Sequence, residues 1–137
     1  MGIQLNRREG WEGVFEKYIK DSVSVPFQWG VCDCVLWAGE WFRLLTGADV
    51  TEDIRGKYDS KESAAALIES KGGLVDGITE RIPQRVIGFQ KRGDLALCII
   101  DGQETLGIIG ACNFVFFKME KGVYAKRIKP TAAWGVD

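Results

Sequence analysis

The sequence predicts an α+β domain in which N-terminal helices pack on a C-terminal antiparallel sheet. Up to about residue 82, apolar side chains recur at helical spacing between cap residues. Beyond that point the chain breaks into short runs rich in β-branched and aromatic residues. The turns joining these runs are too short for a parallel crossover, so neighbouring strands should run antiparallel. Helices first and strands second is the order of an α+β fold.

The helical half reads in order. Residues 8–21 place Trp11, Phe15, Tyr18 and Ile19 on one helical face. Val25-Pro26 ends that helix, because the residue before a proline avoids helical backbone, and Gly30 permits a turn. Asp33 is a good N-cap for a second helix, from Cys34 to about Thr46. Val35, Leu36, Trp37, Ala38, Trp41 and Phe42 cover much of its circumference, which is the pattern of a buried helix. Gly47 supplies its left-handed stop. Residues 48–59 form a surface loop, Ser60 caps a third helix over Lys61–Lys71, and Gly72-Gly73 ends it. A short fourth helix or irregular segment covers 74–82, up to Pro83.

The strand half comprises Val86–Phe89, Leu95–Ile100, Leu106–Ala111, Phe114–Phe117 and Val123–Ile128. Turns at Gly93, Gly102 and Gly122 separate several of them, and the expected sheet has about four to six strands.

Composition bounds the function. The 137 residues form a single domain, 1–137, with 46% hydrophobic and 27% charged residues, values that exclude a disordered chain. A net charge of −1 lacks the basic excess of a nucleic-acid binder. Lys118, Lys121, Lys126, Arg127 and Lys129 form one local basic stretch, expected to be the solvated face of one or two strands. No run approaches the ~18 apolar residues of a membrane span, so no membrane insertion is expected. Met1 to Lys20 has no signal-peptide core, and Asn6 does not complete an acylation pattern after Gly2. The protein is therefore expected to be cytoplasmic when made.

The four cysteines are Cys32, Cys34, Cys98 and Cys112. Cys32 and Cys34 are separated by one residue and the chain has no histidine, so neither a zinc site nor any other metal or cofactor is indicated. Cys34 stands on the first turn of the second helix, where the positive helix end and unpaired N–H groups lower a thiol's pKa. It is either an activated nucleophile or a small apolar residue of a packed face. Cys32 as a resolving thiol would give a redox pair, but a one-residue spacer closes a strained ring.

A Gly30-x-x-Asp33-Cys34 turn opening a core helix resembles the NlpC/P60 branch of papain-like cysteine peptidases. Gly93-Asp94-Leu95 matches that family's Gly-Asp-Leu step, and Thr105-Leu106-Gly107-Ile108 matches its His-x-Gly-Ile strand, with Thr105 where the histidine stands. The chain most resembles the small subset encoded near phage and prophage tail genes, through Thr46-Gly47-Ala48-Asp49, Arg55-Gly56-Lys57-Tyr58 and Ala133-Trp134. The resemblance implies a papain-like fold and Cys34 as the nucleophile position. It singles out Arg55 and Tyr58, while Trp29, Asp33 and Asp94 complete the candidate binding residues. It also implies phage tail proteins or peptidoglycan peptides as partners, and possession of a place in the virion.

The base is missing. A cysteine hydrolase needs a group that takes the thiol proton and returns it to the leaving amine, and Thr105 cannot do so near neutral pH. Asp33 raises the thiol's pKa by like charge and is better explained as a cap. The expected function is thus a catalytically degenerate tail-associated protein serving in tail assembly or cell-wall contact. The alternative is a peptidoglycan peptidase or amidase using Cys34 and an unconventional base.

Overall fold

The computed structural model describes residues 5–137; Met1 to Gln4, including the Gly2 of the acylation question, lie outside the described residues. Four helices precede a six-stranded antiparallel sheet: α1 Trp11–Ser22, α2 Cys34–Thr46, α3 Lys61–Ser70, α4 Leu74–Thr79, then β1 Gln84–Arg85, β2 Leu95–Ile100, β3 Gln103–Ile109, β4 Phe114–Met119, β5 Gly122–Arg127 and β6 Ala132–Trp134. The strand order is β1-β6-β2-β3-β4-β5. The consecutive hairpins β2–β3, β3–β4 and β4–β5 follow from the short turns, and the chain then crosses back to lay β6 between β1 and β2.

Local chemistry explains the helices. The Asp33 side chain accepts the Leu36 N–H, and Gly47 closes α2 in a left-handed conformation with its N–H on the Arg43 carbonyl at 2.7 Å. Ser60 accepts the Ser63 N–H at 3.0 Å while the Ser63 hydroxyl accepts the Ser60 N–H, a reciprocal cap that starts α3. α2 lies against α1 on one side and against β3 and β4 on the other. Its Trp41, Phe42 and Leu45 are buried in the main core with Phe15, Leu97, Ile108 and Trp134. Burial of each such side chain contributes about 1.5–3 kcal/mol. Ala96, Cys98, Val115 and Phe117 form a second cluster on the opposite sheet face.

Three expectations change. Val86 to Phe89 is not a strand: Val86 and Phe89 are 72% and 73% exposed, and the short pairing segment is Gln84–Arg85, just after Pro83. An apolar run without a partner edge does not become a strand. Conversely, β6 is three residues of Ala-Ala-Trp in which only Trp134 favours a strand, yet it pairs on both sides, with β1 and β2. Lys118 is not on a solvated face. It is 1% exposed, and its ammonium donates to the Ser22 carbonyl at 2.9 Å and to the Val25 carbonyl, capping the C-terminal end of α1.

One ion cluster ties the ends of the described chain to the sheet. The Asp94 carboxylate is fully buried and accepts from Arg7 at 2.7 Å, Arg85 at 3.0 Å and the Lys91 N–H at 2.8 Å. Arg7 also donates to the carbonyls of Arg92 and Val136, and Arg85 to the Asp137 carboxylate. Gly135 is required beside it, because a Cβ there would stand 1.8 Å from Asp94 Oδ1. Removing the carboxylate leaves two guanidinium groups without their shared partner. Asp94→Ala should therefore lower the unfolding free energy by roughly 3–5 kcal/mol, read from the denaturant midpoint.

Candidate functional site around Cys34

The site begins with a tight turn. The Gln28 N–H donates to the Cys32 carbonyl at 3.0 Å, and the Cys32 N–H returns to the Gln28 carbonyl at 2.8 Å. Gly30 sits at the tip with φ 80, and a Cβ there would fall 2.0 Å from the Tyr58 carbonyl oxygen. Only glycine lets the 48–59 loop close over this turn. The loop is held by Arg55, which donates to Asp49 at 2.7 Å and to Thr51 at 3.1 Å.

Asp33 binds the turn, helix and loop together. It is 1% exposed. Its Oδ1 accepts the Leu36 N–H at 3.0 Å, while Oδ2 accepts the Gly30 N–H at 3.0 Å and the Tyr58 hydroxyl at 2.5 Å. Burial raises the Tyr58 phenol well above its ordinary value, and the hydrogen bond to Asp33 and its charge add to that. Tyr58 therefore stays a donor across the working pH range. Asp33 has no role left for it as a base.

Cys34 follows the cap and faces a half-open cavity of about 210 Å³ lined by α2, α3, α4 and the β2–β3 side of the sheet. Trp29 and Tyr58 line the same cavity, and Trp29 is braced edge-on by Phe27 at 5.1 Å. The thiol is pushed up to about 11. Burial is the largest cause and the Asp33 charge adds to it. The backbone N–H groups of Leu106, Val35 and Cys34 itself pull the other way and do not offset it. The helix end is thus outweighed by burial, and near neutral pH the thiol stays protonated.

Thr105 is not across from that thiol. Its cross-strand partner is Cys98, which belongs to the cluster on the far face of the sheet, and its hydroxyl donates to the Gln103 carbonyl at 3.3 Å. Strand side chains alternate, so the residues of β3 directed toward α2 are Glu104, Leu106 and Ile108. Matching the motif by its Gly-Ile step thus selects the face away from the nucleophile position. Glu104 lines the cavity and was the residue to find; the signal was strand parity counted back from the buried Leu106.

The remaining candidates divide. Asp94 belongs to the ion cluster and does not line the cavity. Arg55 lines a second cavity, about 330 Å³, beside α1, together with Cys32, Tyr18 and Glu40. Burial raises the Cys32 thiol, Lys118 lowers it and Asp33 raises it. All four cysteines are free, and Cys32 and Cys34 line different cavities, which gives no support to a redox pair. Among the described residues no three His, Cys, Asp or Glu side chains gather as a metal site, and no helix is long and apolar enough to cross a membrane.

The fold and site define an α+β protein with an Asp-capped core helix that presents a neutral thiol to an apolar cavity. The chain belongs to the DUF6950 family, a domain of unknown function, whose model matches residues 6–136. No curated protein sequence matches the chain.

Two outcomes follow from this geometry. Tyr58→Phe takes one of three donors from a buried carboxylate and should cost about 1–3 kcal/mol in unfolding free energy. Alkylation of Cys34, with Cys34→Ser as the control, should accelerate with pH through a midpoint near 11, because a raised pKa delays the thiolate to more alkaline solution. A midpoint below the ~8.5 of a free thiol would mean that the helix end dominates after all.

Proposed function

We propose that this chain is a catalytically degenerate NlpC/P60-like domain of the phage or prophage tail-region type, with a papain-like arrangement, that serves in tail assembly or cell-wall contact. The observation that carries this reading is a thiol held protonated in an apolar cavity with no histidine anywhere in the chain. The order of elements supports the family resemblance: Asp33 caps the core helix, Asp94-Leu95 opens a central strand, and α2 lies on β3. On this reading the protein is cytoplasmic when made and joins the virion through tail proteins or meets peptidoglycan peptide there.

A cysteine hydrolase is the second reading, favoured by Glu104 on the correct face of β3 and by the Leu106 N–H at the sulfur. The proton balance weighs against it. A carboxylate is a weak base beside a thiol pushed up to about 11.

The test is amine release from purified muropeptides by wild type and Cys34→Ser, beside recovery of the tagged protein from phage-producing cells. No turnover above the mutant and enrichment of tail proteins are expected. Turnover that disappears in Cys34→Ser overturns the degenerate assignment, and the absence of any tail component overturns the assembly role.

A further inference from the structure

The Cys34 cavity is a half-open cleft of about 210 Å³, with room for more than a few waters. An engineered cavity of about 150 Å³ already takes up benzene. Counting a methylene as about a water's ~30 Å³ share of volume, it would hold roughly six to eight carbons.

Its walls are aliphatic. Val50 and Ile54 come from the loop, Leu67 and Ile68 from α3, and Leu74 and Ile78 from α4. The polar groups inside are already spoken for. Asp33 is saturated by its three donors and Tyr58 is bound to it. The Cys34 thiol is neutral. A water-filled polar site is therefore not what this lining offers.

The rim is different. Exposed Lys61 and Ala65 of α3, and Lys71 just past its end, stand on one lip, with Gln103 and Glu104 of β3 also on the rim. Arg81 and Lys71 share the Asp53 carboxylate, at 2.8 and 4.0 Å. Lys61 makes no ion pair among the described residues. The three cations of the rim thus face two carboxylates, Asp53 and Glu104, which leaves one net positive charge at the lip.

From the aliphatic walls and this cationic lip we infer that the cavity binds a medium-chain aliphatic carboxylate, tail inward toward Cys34 and head at Lys61. The inference rests on the non-catalytic reading of the site and gives it a ligand class. α3 is the cover. Only Ala64 of its ten residues is fully buried, so it adds little packing to the fold and can shift to admit a chain.

The test is titration of the full chain with n-alkanoates of four to ten carbons, followed by calorimetry, with iodoacetamide alkylation of Cys34 as the reporter of location. Affinity should rise about fourfold per added methylene until the cavity is full, and octanoate should slow Cys34 alkylation. Octylammonium should bind at least about tenfold more weakly, and Lys61→Glu should erase that preference. Ala65→Trp, at an exposed position that leaves the core intact, should block entry.

Alkanoates that neither bind nor protect Cys34 overturn the inference. So does equal binding of octylammonium, or binding indifferent to Ala65→Trp. Failure here is distinct from failure of the functional reading, which is overturned by Cys34-dependent muropeptide turnover whatever the alkanoates do.

Discussion

The buried carboxylate of Asp33 is the constraint on which the rest of the site depends. A carboxylate removed from water is tolerated only when donors replace the lost solvent, and this one has three, from the turn, the helix and the loop. Those donors fix where α2 starts, which way the Gly30 turn bends and how closely the 48–59 loop lies over both. The first-turn position of Cys34 is a consequence. So is one wall of the cavity, since Tyr58 brings its loop down onto the same oxygen. The arrangement that orders the site also works against nucleophilic chemistry, because the charge of Asp33 sits beside the thiol and raises its pKa.

A second buried carboxylate does for the sheet what Asp33 does for the helix. Asp94 collects Arg7 from the N-terminal segment, Arg85 from β1 and the Lys91 N–H, and Arg7 runs on to the Val136 carbonyl. The described chain ends are thereby pinned beside the mouth of β2. Trp41 of α2 reaches the same corner, donating to the Gly93 carbonyl at 2.8 Å. The two clusters are linked through α2, one at its N-cap and one midway at Trp41, so the helix has little freedom to slide relative to the sheet. A thiol held this rigidly would suit catalysis if a base faced it. With Leu106 in that place, the same rigidity only maintains the shape of an apolar pocket.

Most of the fold was legible because its signals are local. Asp33, Gly47 and Ser60 are cap residues whose preference is set by a single hydrogen bond or a left-handed turn, and α2 begins and ends where they say. What was not legible depends on distant partners. β6 is a strand only because β1 and β2 stand on either side of it. Lys118 reads as surface until the end of α1 brings the Ser22 and Val25 carbonyls to it. The choice left open at Cys34, activated nucleophile or packed residue, turns on the same kind of contact: the helix end is read from the sequence, but the burial that outweighs it is not. The face on which Thr105 lies is a different matter. A short motif fixes order along the chain, and a one-residue offset in a strand exchanges its faces.

The two thiols on either side of Asp33 show how the same fold separates binding from chemistry. Cys32 and Cys34 are two residues apart, and the Asp33 charge raises both. The cation that could favour a thiolate, Lys118, acts on Cys32, while Cys34 receives only backbone N–H groups. Lys118 is not recruited to Cys34, because its ammonium is committed to the carbonyls of Ser22 and Val25. The cationic groups that do reach the Cys34 cavity, Lys61, Lys71 and Arg81, belong to α3 and to the stretch that follows it. Positive charge at such a lip stabilises an anion that is bound, and it is not among the groups that lower the Cys34 thiol's pKa. The placement of charge therefore favours occupancy of the cavity over turnover in it.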